Sequence, residues 1–468
     1  MTGDRLQTWR GGATVKLKQH HSGARATAAL IASLAVVLAA CNAAAPSATT
    51  SAASQPPAAS GASSASSAPA SAGAPASALT GNGIVFGDLH PFTGQYASVG
   101  THSFAGAKAA EACINDAGGV LGQKLTVTSA DTVGDPADAV PALNKLLAVD
   151  KAVAILGPGG LEIGGTQPIL DNNKIPFMFE GGLSAMDNNT DPLLWRDTPS
   201  DSQEGVAMAL YALSKGYKNA ALVFSTIQSA QDFKEPVKTA YEKQGGTIAV
   251  EIDLSPGQTS YRSEALRVAN AHPDVIFTQM EPGTAGAFFS GMKSLNNLAI
   301  PFIASDTSVG ADWISAITGP IAEAHLVSVE GSSAPGPGGD AYTACYKEAN
   351  GDIQPGGNTP YAYDGTMVLA LAIDLAGSTD SAKVVAALPN VSSPTAGAAA
   401  VTTYKDALAA IKAGATTINY EGAGTPMDFN GAHNVFGPFD VVQWSQSANK
   451  FQTVTTISAQ DLEHATGG

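Results

Sequence analysis

Two glycine-rich turns in the middle of the chain are the residues best placed to do chemistry. GPGGLE (157–162) follows the apolar run Ala152–Leu156, and EGGLS (180–184) follows the run Ile175–Phe179. Runs this short, bounded by Gly and Pro, indicate buried parallel strands, and the backbone N–H groups beyond such strands bind polar ligand groups. The alternative is that the glycines only end the strands. We expect the floor of a ligand pocket to be formed by Gly157, Gly159, Gly160, Gly181 and Gly182.

Other kinds of chemistry have little support in the sequence. GNGIVF (81–86) precedes its strand, whereas a dinucleotide fingerprint follows one. Neither a phosphate-binding Gly-Lys-Ser/Thr loop nor a Gly-x-Ser-x-Gly nucleophile elbow occurs, and the histidines lack the spacing of a metal site. We therefore expect no cofactor, no metal and no catalytic residue. Paired carboxylates keep a cell-surface enzyme open as an alternative, because their spacing neither supports nor excludes one.

The charge balance excludes one class of partner. The 468 residues include 24 Lys and Arg against 40 Asp and Glu, which gives a formal net charge of −16. A nucleic-acid surface needs a surplus of basic side chains, so we expect a small-molecule solute as partner and no nucleic acid. A chain of this length also exceeds the usual size of one hydrophobic core, which predicts two domains in what we expect to be a monomer.

The N-terminus has the features of an export signal. Basic residues precede an uncharged segment, Ala26–Ala40, that is shorter than the roughly 20 residues of a membrane span. The segment ends in LAAC (38–41), which resembles a bacterial lipobox with Cys41 as the lipidated residue. We expect residues 1–40 to be a lipoprotein signal peptide, and the exported chain to be held by its lipid on the outer face of the bacterial cytoplasmic membrane. A plain signal peptide or a short spanning anchor is the alternative.

A low-complexity segment separates this signal from the folded body. Residues 41–82 consist almost wholly of Ala, Ser, Pro, Gly and Thr. Such a composition buries too little apolar surface to offset the entropy of ordering the chain, so the segment is predicted to be a disordered tether. The folded body then begins near Gly83.

Two further cysteines, Cys113 and Cys345, lie in the folded body. Exported proteins reside in oxidising compartments, where a pair of cysteines favours a disulfide. The two residues are far apart in sequence, so a bridge and a pair of free thiols both stay open.

From Gly83 onward, apolar runs typical of strands alternate with segments typical of helices. A first series ends near Thr198, and a second series ends near Val329. The alternation predicts an α/β fold of two lobes, each with a parallel sheet and helices on both faces. More chain remains than one lobe needs, so we expect it to cross back and add to both. The predicted lobes are 83–198 plus 330–438 and 199–329 plus 439–468.

Three stretches carry a resemblance to a known family. They are GDLHPFTGQYASVGTHSFAGAKAAEACINDAGGVLGQKLTVTSADTVGDP (87–136), WRDTPSD (195–201) and NYEGAGTPMDFN (419–430). The last of these, together with VFGPFDVVQW (435–444) after it, is also expected to form a late segment rich in strand. Together with the two glycine turns, the three stretches resemble the branched-chain amino-acid (Leu/Ile/Val)-binding family of type I periplasmic binding proteins, in its lipoprotein form. The resemblance implies two Rossmann-like lobes joined by a three-strand hinge, a ligand in the cleft between them and closure on binding.

The resemblance also implies a function. It predicts an extracytoplasmic receptor, without catalytic activity, that delivers a branched-chain amino acid or a related amide or amino acid to the permease subunits of an ABC importer. The membrane is contacted through the N-terminal lipid only. A surface receptor that senses its ligand without transport needs the same closure, so it stays an alternative beside the cell-surface enzyme.

Positions in the family pattern imply which residues contact the ligand. Backbone N–H groups and hydroxyls of the two turns hold an α-carboxylate, and an acid from the other lobe, Asp306, holds the ammonium group, because helix N-termini favour negative charge and a desolvated ammonium needs an anionic partner. The implied contacts are Tyr96, Val99, Gly160, Leu161, Gly181, Gly182, Leu183, Ser184, Gln228, Ser229, Glu281 and Asp306.

Two departures from the family pattern widen the choice of ligand. Ser184 is the only hydroxyl of the second turn, and the candidate pocket gathers four acids, Glu162, Glu180, Glu281 and Asp306, with no Arg or Lys. Two unit charges 4 Å apart interact by about 4 kcal/mol at an effective dielectric near 20, which is enough to change ligand choice. A cationic, polyhydroxylated or amide ligand is therefore as well supported as leucine. Glu162 and Glu180 are expected to point to solvent at helix starts, where acids are favoured.

Overall fold

The computed structural model describes residues 83–94, 96–332, 336–353, 355–395 and 397–466. The predicted signal peptide, the predicted tether and Cys41 lie outside these residues. Within them, no helix combines the length and the apolar character that crossing a bilayer requires.

Apolar runs of the sequence form strands, and the segments between them form helices, in three stretches of chain. The first contains β1 (Ile84–His90), α1 (Ala97–Asp116), β2 (Leu125–Asp131), α2 (Pro136–Ala148), β3 (Ala154–Leu156), α3 (Ile163–Asn173), β4 (Phe177–Phe179) and β5 (Leu194–Arg196). The second contains α4 (Asp201–Ser214), β6 (Asn219–Ser225), α5 (Gln228–Lys243), β7 (Thr247–Leu254), α6 (Arg262–Ala271), β8 (Val275–Gln279), α7 (Pro282–Ser294), β9 (Phe302–Ala304), α8 (Ala311–Ile317), α9 (Gly319–His325) and β10 (Leu326–Gly331). The third contains α10 (Gly339–Asn350), α11 (Thr359–Ala376), α12 (Ser381–Ala387), β11 (Ala399–Val401), α13 (Tyr404–Lys412), β12 (Ile418–Tyr420), β13 (Phe439–Ser445), β14 (Lys450–Ile457) and α14 (Ala459–Thr466).

Two large sheets organise these elements. The first sheet has the order β2-β1-β3-β4-β5 and is parallel throughout, with Phe86 of β1 opposite Ala154 of β3. The second sheet has the order β14-β13-β10-β9-β8-β6-β7, parallel from β7 to β10 and antiparallel at β13 and β14. Strands β11 and β12 form a small parallel pair of their own. The predicted α/β architecture with two parallel-rich sheets is confirmed.

The chain passes between the two sheets three times. It crosses after Arg196 at the end of β5, after Gly331 at the end of β10, and before Phe439 at the start of β13. After the second crossing, α10 to α13 pack on the first sheet, and α11 is buried along most of its length, partly against α1. Each sheet therefore has its own apolar core. The exact lobe boundaries given above stay a prediction.

Local chemistry explains where two of the helices, α2 and α4, begin. The Asp135 side chain accepts a hydrogen bond from the N–H of Ala137 at 2.7 Å, with Pro136 in the first turn of α2. Ser200 caps α4 in the same way, because its Oγ accepts a hydrogen bond from the N–H of Gln203 at 3.2 Å. This cap fixes the start of α4 directly after the first crossing, at the edge of both sheets.

A disulfide joins α1 to α10. The bond links Cys113 and Cys345, whose Cα atoms are 5.7 Å apart. Of the two alternatives that the sequence leaves open, the structure therefore has the bridge, between a helix of the first stretch and one that follows the second crossing.

Three elements differ from the sequence-based expectation. The late segment expected to be rich in strand contains β13, from Phe439 onward, but residues 421–438 contain no strand, because Gly and Pro recur there too often for a continuous ladder. The sequence pattern indicates a helix that starts near Phe233, whereas α5 begins at Gln228, so Gln228 lies in the first turn of a helix. Strand β5, which the apolar pattern does not mark, forms one edge of the first sheet.

Candidate functional site

A cavity of about 340 Å³ lies where the carboxyl ends of strands from both sheets meet. Gly181 and Gly182 follow β4 of the first sheet, Asp306 follows β9 of the second, and Glu330 lies at the end of β10. Ligands of open α/β sheets bind at this edge. The lining residues are Val99, Glu180, Gly181, Gly182, Thr198, Pro199, Glu204, Asp306, Val309, Glu330, Gly331, Gly357, Asn358, Tyr361 and Phe439.

On the first-sheet wall, Glu180 is the centre of a hydrogen-bonded network. Its Oε1 accepts hydrogen bonds from the hydroxyl of Ser103 and from Nδ2 of Asn358, the latter at 2.8 Å. Its Oε2 lies 3.7 Å from Nε2 of His90, and Nδ1 of His90 lies 2.9 Å from Oδ1 of Asp88. Both acceptor atoms of the Glu180 carboxylate are thus engaged by the protein itself.

Electrostatics keep His90 charged in this network. Burial by itself lowers the pKa of His90, but the carboxylates of Asp88 and Glu180 outweigh that effect and raise the pKa to about 10. Burial also raises the pKa of Glu180, and the charge of His90 opposes that rise. The first-sheet wall therefore carries a carboxylate whose negative charge is compensated by a protonated histidine.

The second glycine turn is tied to the start of α4. The N–H of Gly181 donates to Oγ1 of Thr198 at 3.1 Å, and the N–H of Asp201 donates to the carbonyl of Gly182 at 2.7 Å. A Cβ on Gly182 would lie 1.8 Å from Oδ1 of Asp201, so a glycine is needed for this close approach. The turn therefore faces a carboxylate of the protein.

On the second-sheet wall, Glu204, Asp306 and Glu330 bring three carboxylates to the cavity. Oε1 of Glu204, which is buried, accepts a hydrogen bond from the N–H of Asp306 at 3.0 Å. The side chain of Asp306 is exposed, and that of Glu330 is half-buried. In the described part of the chain, none of the three has a Lys, Arg or His partner within 4.0 Å.

Burial and mutual repulsion raise the pKa values of this wall. Burial, with repulsion from Asp306, raises the pKa of Glu204 well above its ordinary value and that of Glu330 to about 7. The same two causes raise the pKa of Asp201 to about 7. A cation that enters the cavity favours the ionised forms, so its binding releases protons.

The structure brings together four of the twelve ligand contacts that the family pattern implies. Val99, Gly181, Gly182 and Asp306 line the cavity. Gly160 lies beside Gly181 behind the second turn. The residues outside the lining are Tyr96, Gly160, Leu161, Leu183, Ser184, Gln228, Ser229 and Glu281.

Several of the residues outside the lining have other surroundings. Gln228 donates from Nε2 to Asp232 at 2.7 Å on the exposed side of α5. Glu281 is the N-terminal cap position of α7, and its Oε2 is buried without a hydrogen-bond partner in the described residues. Tyr96 and Leu161 are exposed. Their assignment to the ligand stays a prediction.

The expectation that Glu162 and Glu180 point to solvent is wrong. Glu162 is 2% exposed and its Oε1 accepts a hydrogen bond from the hydroxyl of Thr132 at 2.8 Å, and Glu180 is 8% exposed. Buried hydroxyl and amide donors from neighbouring elements hold both carboxylates inside. Only Glu180 of the two lines the cavity.

Sequence reasoning missed most of the lining. Glu330 ends a strand of the second sheet, so the rule that ligands bind beyond strand ends was a usable signal for it. Glu204 lies inside α4, where an acid in a first turn is ordinary. Asn358 and Tyr361 come from the start of α11, and no local pattern places that helix at the cavity.

No group of three or more His, Cys, Asp or Glu side chains with the geometry of a metal site occurs among the described residues. The cavity instead offers hydrogen-bond acceptors and apolar surface from Val99, Val309 and Phe439. This combination suits a small organic molecule that carries hydrogen-bond donors.

Comparisons with known proteins agree with this architecture. The family model described as periplasmic binding protein matches residues 83–449. An amino acid binding protein of Pseudomonas aeruginosa is 26% identical over 312 residues, covering 64% of this chain and 80% of the relative. The Leu/Ile/Val-binding protein homolog 1 of Brucella melitensis is 26% identical over 320 residues, covering 67% of this chain and 82% of the relative. The crystal structure of a leucine binding protein from Thermotoga maritima superposes with a TM-score of 0.65 at 18% identity, covering 81% of this chain and 99% of that one.

Proposed function

The chain belongs to the periplasmic binding protein family, and from that premise we propose that it is the solute receptor of an ABC importer. It binds a small polar solute of the amino-acid or amide class in the cavity between the two sheets and presents the closed complex to permease subunits. The role is binding without catalysis, by one monomer.

One observation carries this proposal: the cavity is walled by strand ends of both sheets. Gly182 from the first sheet and Asp306 from the second line the same space of about 340 Å³. Three crossings of the chain connect the sheets. Relative rotation of two halves about a few crossing segments opens such a cavity to solvent and closes it on a ligand.

The same proposal includes a place outside the cytoplasm. Lipid on Cys41 holds the receptor to the outer face of the membrane, and residues 41–82 act as the tether. Replacement of Cys41 by Ser is expected to release the protein from membranes into the soluble fraction and to abolish incorporation of a fatty-acid probe. Retention of the Cys41→Ser protein in membranes contradicts the lipid anchor and leaves solute binding untouched.

Solute binding is tested by thermal unfolding and calorimetry on protein freed of co-purified solute by unfolding and refolding. The panel contains amino acids, their amides, amines and polyols. A ligand at 100 times its Kd stabilises the fold by about 2.7 kcal/mol, which is readily seen as a rise in Tm. The absence of a shift with every member contradicts the proposal.

A pair of variants tests whether the ligand-induced rise in Tm depends on the cavity. Val309→Trp places a large side chain in the lining and is expected to abolish the ligand-induced rise in Tm. Val149→Trp makes the same change at an exposed position after α2, where Val149 is 70% exposed, and is expected to keep the rise. A full ligand response in Val309→Trp places the solute elsewhere.

A further inference from the structure

Three carboxylates of the second-sheet wall lack a cationic partner, and one of them is deeply buried. Glu204 is 5% exposed and lines the cavity beside Asp306 and Glu330. Its Oε1 accepts the N–H of Asp306, and no hydrogen bond within the described ranges uses its Oε2. An oxygen of a largely buried side chain that lines a ligand cavity, without a protein donor, is a place for a donor that the ligand brings.

The second glycine turn, by contrast, has little to offer an anion. The N–H of Gly181 already donates to Thr198, and the carboxylate of Asp201 lies directly against Gly182. A ligand carboxylate at this turn would meet the charge of Asp201 from one side and that of Asp306 from across the cavity. The family's expected contact between an α-carboxylate and this turn is therefore opposed by the protein's own charges.

Two basic groups near the cavity, His90 and Arg196, are engaged by acids of the protein. His90 is held between Asp88 and Glu180, with nitrogen to oxygen distances of 2.9 and 3.7 Å. Arg196 is fully buried and donates to Asp187 at 2.8 Å and to a backbone carbonyl at 2.6 Å. Neither side chain lines the cavity, so a ligand carboxylate finds no counter-ion in the described wall.

Resting on the proposed role as a solute receptor, we propose that the ligand is not an amino acid or a neutral amide but an organic cation without a carboxylate, an amine or a guanidine. Glu204 and Glu330 from the lining, with Asp201 against Gly182 outside it, set the preference for such a cation over an α-amino acid. The cavity of about 340 Å³ accommodates a molecule of this kind, with Glu204 and Glu330 for its charged group and Val309 and Phe439 for its hydrocarbon part. Desolvation of its charge is offset by Glu204 and Glu330, which have no basic partner among the described residues.

Matched ligand pairs test the proposal directly. Calorimetry at pH 8 on the solute-free full chain compares lysine with cadaverine, arginine with agmatine, and leucine with 3-methylbutylamine. Each pair differs only by the carboxylate. We expect at least one amine to bind, and to bind at least tenfold more tightly than its parent amino acid.

Three outcomes overturn the proposal, and they separate it from the proposed function. Tighter binding of a parent amino acid than of its amine shows a working solute receptor with the opposite preference. Binding of a neutral amide such as isobutyramide, when no amine binds, likewise shows a working solute receptor, but one that does not prefer a cation. The absence of binding by every amine, amino acid and amide removes the solute-binding function together with the inference.

Variants test whether the named carboxylates set the preference. Glu330→Gln is expected to weaken the binding of the amine at least fivefold. Asp201→Asn is expected to reduce the ratio of the affinity for the amine to the affinity for its parent amino acid at least threefold. Asp312→Asn removes an acid at an exposed position in the first turn of α8 and is expected to leave the ratio unchanged. Thermal unfolding of each variant shows that it is folded. An unchanged ratio in both Asp201→Asn and Glu330→Gln overturns the assignment.

Discussion

The two walls of the cavity both present carboxylates, but in opposite electrostatic settings. Glu180 on the first-sheet wall is engaged by Ser103 and Asn358 and lies near the charged His90. Glu204 and Glu330 on the second-sheet wall have no basic partner in the described residues. A buried carboxylate whose charge is compensated by a basic group stabilises the fold. A buried carboxylate without such a group destabilises the ligand-free protein and favours a cationic ligand. The residue type is the same, and its surroundings decide its role.

The largest effect is expected on the compensated wall. Glu180→Ala leaves His90 buried without one of its two acids and removes the acceptor of Ser103 and Asn358. Breaking such a buried pair costs about 3 kcal/mol of unfolding free energy. Urea unfolding monitored by circular dichroism measures the loss.

A matched control for Glu180→Ala exists on the surface. Glu251→Ala breaks the 2.8 Å pair with Lys238, in which both side chains are partly exposed, so the expected loss is below about 1 kcal/mol. Equal losses in the two variants contradict the distinction between a compensated buried carboxylate and an ordinary surface acid.

The next effect is expected on ligand binding at the uncompensated wall. Asp306→Ala removes a carboxylate that faces the cavity, so the affinity for an ammonium-bearing ligand falls more than tenfold, or by about 1.4 kcal/mol. Calorimetry measures the affinity, and urea unfolding without ligand is expected to show little change. Unchanged affinity removes Asp306 from the site.

The two walls are also expected to differ in the pH range over which they affect stability. Burial and the charges of Asp306 and Asp440 raise the pKa of Glu330 from 4.5 to about 7, so the folded state holds a proton that the unfolded state loses. Stability contributed in this way is lost as pH rises from 4.5 through 7. His90, with its pKa raised from 6.5 to about 10, loses its contribution as pH rises through that higher range.

Variants separate the two pH ranges. Glu330→Gln is expected to reduce the slope of unfolding free energy against pH between 4.5 and 7, where Asp201 and Asp364 also contribute, and His90→Gln to reduce the slope between 6.5 and 10. Urea unfolding at half-unit pH steps without ligand gives both profiles. The assignment of the two pH ranges to the two walls is contradicted if His90→Gln, and not Glu330→Gln, reduces the slope of unfolding free energy against pH between 4.5 and 7.

The smallest effect is expected at Ser184, the last residue of the second turn. Its Oγ is buried without a hydrogen-bond partner among the described residues, and the side chain does not line the cavity. Ser184→Ala is therefore expected to change ligand affinity less than twofold, well below the effect of Asp306→Ala. A tenfold loss of affinity in calorimetry would show that the Ser184 hydroxyl contacts the ligand, which is the role that the family pattern implies for this turn.

The sequence by itself determined the features that depend on neighbours along the chain. Short apolar runs such as Ile175–Phe179 mark strands, and Asp135 with Pro136 marks the start of a helix, because periodicity and capping act over a few residues. The glycine turns were found for the same reason, and three of their residues, Glu180, Gly181 and Gly182, line the cavity. The order of strands and helices was enough to predict the α/β fold class.

Only the tertiary structure decided which carboxylates are compensated. The charge and hydrogen-bond environment of Glu180 comes from His90 and Asn358, which lie 90 and 178 residues away in sequence. Glu204 reaches the cavity only because α4 begins at a crossing between the sheets. Local patterns do not record such distant partners. The pKa and the role of a buried acid depend on the charges and donors that folding brings within a few ångströms of it.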